Sequence, residues 1–524
     1  MLNDFLLGTS ILFSDPVGIG LFVAGLLGGM LFGAIPGINM LTLGAVILPF
    51  TAAMSPTHAI MLYSVIYCAG VFGGAITAIL FNIPGSPENA PTAFDGYPMT
   101  LKGQAGKAVG AAVICSAFGG LISCIVMMAA TPLIAMWAVK SFGPPEIFGL
   151  ICFGLAVSAS VGAKTLWKGI LSVGLGLLIA TIGSDPSDGI ARFNFDSYYL
   201  LAGIHFIPMV LGLFAVSEVF AQTASRVSGI QGKVKIGLEF PSWMEFWVNR
   251  FVVIRSVFIG FFAGILPGIG AVLAAFLSYS EAVRWGRKDQ KFGKGELAGV
   301  IASETANNSA TGAAMIPLLA LGLPGGALTA MMMGVFQLHG MEPGPLIFIQ
   351  SKDLVWTVFA AMFFANISIL FLGYIQTKTV VHLLRVPFHL LAPGILLIAT
   401  VGAYGLRNLV VDVWVMFIAG IVGFFLRRSG YSIAGIVLGL VLGELGESSF
   451  SRSMQLLDYS FVEDFSDRAI FLRKVDEFCG AMHIVRTHHY VGPWRLFEHK
   501  VFVFLRQAPS NHQLPIGGCF FPLL

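Results

Sequence analysis

The chain has 524 residues, of which 56% are hydrophobic and 11% charged, with a formal net charge of +3 and a mean hydropathy of +0.85. An average soluble protein carries about 25% charged residues, so this composition excludes a soluble globular domain and indicates an all-α, polytopic membrane protein. The basic residues sit in short clusters beside apolar spans, which excludes the basic face that a nucleic-acid-binding protein needs.

In chain order, the N-terminus MLNDFLLGTSILFSDPVG lacks a basic n-region and carries Asp4. It reads as no cleavable signal peptide, and the first apolar span is expected to direct insertion. Crossing about 30 Å of hydrocarbon takes around 20 residues. Candidate spans lie near 17–53, 58–83, 105–139, 146–160, 166–183, 198–220, 251–280, 297–337, 353–376, 388–404, 410–427 and 431–447. Several are too long or too interrupted for one straight helix, so about 11–13 spans are expected. Six cysteines occur, four of them within apolar runs and none in a metal-ligand spacing, so neither a disulfide framework nor a zinc site is indicated.

Residues 33–44 read GAIPGINMLTLG, and a proline-glycine pair here interrupts membrane-grade apolar sequence. Proline removes an amide donor, and in lipid the freed groups find no water. The pair Pro36-Gly37 recurs as Pro267-Gly268, an offset of 267 − 36 = 231. A second pair, Pro84-Gly85, recurs as Pro324-Gly325, an offset of 324 − 84 = 240. The charged loop 281–296 absorbs the nine-residue difference. Two internal repeats follow, expected to be inverted: residues 1–223 and 247–457, joined by a polar connector at 224–246. Basic clusters flank the Leu266-Pro267-Gly268 break on both sides, and the positive-inside rule puts both on the cytoplasmic face. That segment should enter and leave on one side, as a hairpin. A proline kink in an ordinary crossing helix is the competing reading of any single pair.

Paired interruptions in two repeats point to a transport site near the midplane, where half-helix amides attract anions and carbonyls attract cations. Asn39 follows the first break; Asn82, Ser86, Glu88, Asn89 and Thr92 surround the second. Ser303, Glu304, Thr305, Asn307, Asn308, Ser309 and Thr311 form the densest polar run within any apolar region. Such hydroxyls and amides can donate to carboxylates or offer oxygen to Na⁺. The competing reading of the run is a polar loop at a membrane edge, or small-residue helix packing. Glu304 is a candidate cation or proton ligand. His58, His205 and His339 read as structural, and Glu444 and Glu447 as interfacial. No nucleophile–base set, phosphate loop or metal set appears, so any energy source is an ion gradient or a partner.

The segments GAIPGINMLTLGAVILPF, YCAGVFGGAITAILFNIPGSPENAPTAFDGYPM, GILPGIG, SETANNSATGAAMIPLLALGLPGG and HGMEPGP resemble the large membrane subunit of the tripartite tricarboxylate transporters, the TctA family. The resemblance spans roughly 1–455 in family order. It implies the translocating subunit of a bacterial inner-membrane uptake system. Its partners would be a small four-helix membrane subunit and a periplasmic solute-binding protein. The substrates would be citrate-like tricarboxylates or other small carboxylates, driven by a cation gradient of Na⁺ or H⁺ with no other cofactor. It carries Pro36, Gly37, Asn39, Pro84, Gly85, Pro267, Gly268, Asn307, Asn308, Ser309, Pro324 and Gly325 into the expected site region; Ser86, Asn89, Glu304 and Thr311 join them from the polar runs. The chain departs from the family pattern after Phe450, where a further apolar helix is replaced by DYSFVEDFSDRAIFLRKVDEFCG. Residues 458–524 are expected to form no transmembrane helix, as a frameshifted terminus would. Two other function classes compete: an ion channel, which needs a ring of like filter elements around an axis, and a membrane-embedded enzyme, which needs a paired acid/base or metal set within the spans.

Overall fold

The computed structural model describes residues 1–35, 39–161, 163–185, 189–225, 239–266, 270–383 and 388–456. Pro36, Gly37, Pro267, Gly268, most of the connector and the atypical tail lie outside the described residues. The described chain is an all-α polytopic membrane protein; its only strands are the two-residue antiparallel pair β1 (Gly183–Ser184) and β2 (Ala191–Arg192).

The first half opens with α1 (Leu2–Ser14) and α2 (Pro16–Ala34). Asp15 caps α2, accepting from the Val17 and Gly18 amides at 3.0 and 3.2 Å, and Pro16 occupies the first turn, where its missing N–H costs nothing. After the break come α3 (Met40–Ile47) and a 3-10 extension, then α4 (Pro56–Phe81), which is capped by Ser55 and ends on Asn82 in the left-handed conformation. A loop then leads to α5 (Ala90–Leu101), α6 (Ala105–Ser141), α7 (Pro144–Val161) and α8 (Leu166–Ala180). Short α9 (Tyr198–Leu201) precedes α10 (Phe206–Val210), which runs through a π turn at Leu211–Val216 into α11 (Ser217–Ser225).

The second half repeats the opening order. Short α12 (Trp243–Val248) leads into α13 (Arg250–Ile265), a break, and α14 (Gly270–Arg284). Next is α15 (Leu297–Leu321), which ends on Gly322 in the left-handed conformation, as α4 ends on Asn82. A loop leads to α16 (Ala327–Leu338), followed by α17 (Ile347–Gln350), α18 (Lys352–Leu383), α19 (Phe388–Arg407), α20 (Val410–Arg428) and α21 (Ile433–Leu456).

Packing follows the two sequence offsets. A Cβ on Gly29 would strike Ile66 and Ala69 of α4, and one on Gly260 would strike Ala306 and Ser309 of α15. Here 260 − 29 = 231, while 306 − 66 and 309 − 69 are both 240. Gly33 against Gly70 and Gly264 against Ala310 repeat the relation. Thus α2 lies on α4 as α13 lies on α15, through small residues that let the backbones approach. Both first breaks are hairpins. Ser278 Oγ lies 2.8 Å from Ser256 Oγ, although a straight helix would separate residues 22 apart by about 33 Å. In the first half, a Cβ on Gly28 would touch Leu43 at 3.4 Å, so α3 likewise turns back on α2.

The short helices reach across. α5 of the first half packs on α4 and α6 of its own half and also on α14 and α15, while α16 of the second half packs on α3 and α4 as well as on α15 and α21. Among the described residues, seven helical stretches are long and apolar enough to cross a membrane: Pro16–Ala34, Pro56–Phe81, Ala105–Ser141, Phe206–Ala224, Lys352–Gly373, Val410–Arg428 and Ile433–Leu456. Shorter apolar helices include the hairpin arm Met40–Ala53, α8 and α16. The 25 residues of α15 reach about 37 Å, and all from Ala298 to Ala320 are buried.

Candidate functional site

The polar run lies in the middle of α15, and each of Ser303, Glu304, Asn307, Asn308, Ser309 and Thr311 is 0% exposed. The edge-loop reading is therefore excluded. Helix α6 runs alongside, because a Cβ on Gly119 would strike the Thr305 carbonyl and one on Gly312 would strike Ser123.

Glu304 accepts at both carboxylate oxygens. Thr92 of α5 donates to Oε1, and Ser116 of α6 donates to Oε2 at 2.9 Å. Thr92 Oγ1 is also 3.0 Å from Ser303 Oγ, whose own hydroxyl donates to the Gly299 carbonyl at 2.9 Å. One turn on, Asn308 Nδ2 donates to the Glu304 carbonyl at 3.1 Å, and Thr311 donates to the Asn308 carbonyl at 2.7 Å. Asn308 Oδ1 and both amide atoms of Asn307 are buried without a hydrogen-bond partner. Native interiors leave few such groups, and each costs about 1–3 kcal/mol. Ser309 faces the other way, donating to Val257 of α13 at 2.9 Å.

The loop after α4 closes over this region. Gly85 donates to the Gly74 carbonyl at 3.3 Å, and a Cβ on it would collide with the Gly33 carbonyl, so no other residue fits. Ser86 donates to Asn89 Oδ1 at 2.6 Å, and Asn89 Nδ2 donates to the Val71 carbonyl at 3.0 Å. Between them Glu88 is buried, with Oε1 unpartnered. Pro324 and Gly325 form the matching loop after α15, where a Cβ on Gly325 would press on Ala314. Asn39 stands apart: its side chain caps α3, accepting from Leu41 and Thr42 amides at 3.0 and 3.1 Å. The Pro36, Gly37, Pro267 and Gly268 positions of the expected site lie outside the described residues.

Sequence reasoning missed Ser116, Asp95 and Asn366. Asp95 of α5 accepts from the Gly295 and Glu296 amides, each at 2.8 Å, and from Tyr279 at 2.9 Å, so it caps the start of α15 from the other half. Asn366 of α18 donates to the Met362 carbonyl at 2.8 Å and approaches Cys68 and Cys124 sulfurs, with Oδ1 unpartnered. A lone amide within the apolar stretch FFANISIL was its available signal.

Among the described residues five acidic side chains are buried, Glu88, Asp95, Glu218, Glu304 and Asp412, and no Lys, Arg or His is. Glu218 pairs with Arg427, and Asp412 accepts two bonds from Arg407. Asp95 has its three donors. Glu88 and Glu304 have neither a cationic partner nor such a set of backbone donors. The histidines are structural at two positions: His58 pairs with Asp15 at 2.7 Å, and His205 accepts from the Ile207 amide. The Val17 amide, then that of Gly18 and the His58 ring, hold the Asp15 carboxyl below its ordinary value. His339 differs, with Nε2 buried and unpartnered. Glu447 pairs with Arg192, while Glu444 is exposed.

The family model described as "Tripartite tricarboxylate transporter TctA family" matches residues 19–438. An uncharacterized 52.8 kDa protein in the TAR-I ttuC' 3' region of Agrobacterium vitis is 37% identical over 439 residues, 84% of this chain and 87% of that protein. An uncharacterized protein in the TAR-II ttuC' 3' region of the same organism is 37% identical over 195 residues, 37% of this chain and 81% of that protein. No solved structure matches. A membrane-embedded helical chain matched over this length belongs to the tripartite tricarboxylate transporter TctA family, whose members are membrane components of tricarboxylate transporters.

Proposed function

We propose that this chain is the translocating subunit of a binding-protein-dependent secondary transporter in a bacterial inner membrane, taking up citrate-like tricarboxylates or other small carboxylates with a cation gradient. Its partners in this reading are a small four-helix membrane subunit and a periplasmic solute-binding protein. The two halves, 1–223 and 247–457, act as inverted repeats around a site where the short helices reach across.

The observation that carries the reading is the polar face of α15. Asn307 and Asn308 keep unpartnered amide atoms in a fully buried region, together with hydroxyls from α5 and α6. The free Asn307 Nδ2 can donate to a carboxylate, while the free Oδ1 atoms of Asn307 and Asn308 are acceptors. With no buried base among the described residues, an anionic substrate cannot be neutralised by the protein there. A co-transported cation would offset its charge, which supports coupling to a cation gradient.

The test is uptake of labelled citrate into vesicles carrying the assembled system, with and without the binding protein and with Na⁺ or choline outside. Uptake that requires both the binding protein and the cation gradient is expected. Loss of one hydrogen bond to a charged carboxylate costs about 1.5–3 kcal/mol. Asn307→Ala, which removes the free donor, should therefore raise the half-saturating substrate concentration by roughly tenfold to over a hundredfold, with membrane insertion unchanged. Unaltered uptake would remove Asn307 from the site.

A further inference from the structure

We infer that Glu304 and the hydroxyls around it form a sodium site, placed where α5 of the first half meets α15 of the second. The inference rests on the transport reading above and assigns that reading's coupling ion to particular atoms.

The first argument is an accounting of buried charge. Of the five buried acids, two face arginine and one has three donors fixed by the fold, two of them backbone amides. Glu304 accepts from the Thr92 and Ser116 hydroxyls and has no cationic partner. A buried carboxylate with no base beside it calls for a positive charge from outside the chain. The unpartnered Oε1 of buried Glu88 is a second, independent sign that the region is incomplete by itself.

The second argument concerns the kind of cation. The groups that meet here are all oxygens. Thr92 Oγ1 touches both Glu304 Oε1 and, at 3.0 Å, Ser303 Oγ. Ligands held at roughly 2.3–2.6 Å from a small hard cation stand about 3.3–3.7 Å from one another when set at right angles, so a bound ion would part the 3.0 Å pair slightly. Each hydroxyl proton is already directed at a carboxylate or carbonyl, so each hydroxyl oxygen keeps lone pairs free. Hydroxyls with one carboxylate carry a single negative charge, which suits a monovalent ion. The position also couples naturally to movement, because Thr92 and Ser303 belong to different halves and the ion would bridge them.

The experiment uses the purified full chain in detergent at fixed pH, with Na⁺ replaced by choline at constant ionic strength. The unfolding temperature should rise with Na⁺ and not with choline. Glu304→Gln should abolish the rise, and Glu444→Gln, which alters an exposed acid, should keep it. Should Glu304→Gln fail to fold, Thr92→Val decides, with an expected increase of about tenfold or more in half-saturating Na⁺. A wild-type chain indifferent to Na⁺ overturns the inference, as does an unchanged Na⁺ response in Glu304→Gln or Thr92→Val. A response to pH alone overturns it too, in favour of a proton. Carboxylate uptake that ignores Na⁺ would sink the sodium site and leave transport standing. A Na⁺-stabilised chain that moves no carboxylate in the assembled system would do the reverse.

Discussion

Asp95 illustrates how a single residue holds the two halves together. Its carboxylate satisfies the Gly295 and Glu296 amides at the start of α15, which otherwise lack an intrahelical acceptor, and also takes the Tyr279 hydroxyl. The position is fully buried, so water cannot replace it. Asp95→Ala orphans three donors at roughly 1–3 kcal/mol each. The expected outcome is a marked fall in the unfolding temperature of the purified chain. Asp95→Asn, which keeps an acceptor oxygen, should lose less. Equal losses for the two would mean that packing, not capping, is what Asp95 supplies.

At the scale of elements, the broken segments owe their shape to small residues as much as to proline. Gly29, Gly33, Gly260 and Gly264 let each leading arm lie directly against a long buried helix, and the break lets the following arm return. The Ser256–Ser278 contact gives the hairpin a direct test. Oxidation of a Ser256→Cys, Ser278→Cys double variant should form an intramolecular disulfide, seen as a shift in gel mobility that reductant reverses. A straight crossing would hold the two sulfurs about 33 Å apart and never link them. Labelling of cysteines introduced at Glu245 and Gln290 from one membrane side is the companion expectation. The same hairpin shape in α2 and α3 explains why Asn39 is used as a cap: a helix that begins inside the membrane must satisfy its own first amides.

Over the whole molecule, the reach of α5 and α16 across to the other half makes each half incomplete alone. α5 brings Thr92 and Asp95 to α15, and α16 lies against α3 and α4, with Leu328 and Met331 close to Gly44. Residues 1–230 and 240–524, expressed together as separate chains, should therefore co-purify. Either piece alone should be extracted in low yield, since its crossing helix leaves polar groups facing lipid. Failure of the pieces to associate would show that the covalent connector, not the crossing helices, maintains the assembly. The seven long apolar helices are not equivalent in this arrangement: α4 is almost wholly enclosed by protein, whereas α20 presents Val410, Trp414, Ile418 and Phe425 outward.

Membrane embedding, the helical class, the two pairs of breaks and their offsets of 231 and 240 were legible in the chain, because each is written locally in composition and spacing. The polar run was legible for the same reason, since seven polar residues within nine positions of an apolar region announce themselves. Its surroundings were not. Thr92 and Ser116 reach Glu304 from 212 and 188 residues away, and nothing local to either distinguishes it from a hydroxyl packed between helices. Asp95 carried no local signal, because its partners lie about 200 residues away, where α5 meets the other half. That Asn39 caps its own helix and that Ser309 donates to α13 were likewise not written in the sequence. Which acids lack a counter-charge is likewise a property of the packed molecule: hydropathy sums along the sequence, whereas charge neutralisation depends on which side chains the fold brings within hydrogen-bond reach.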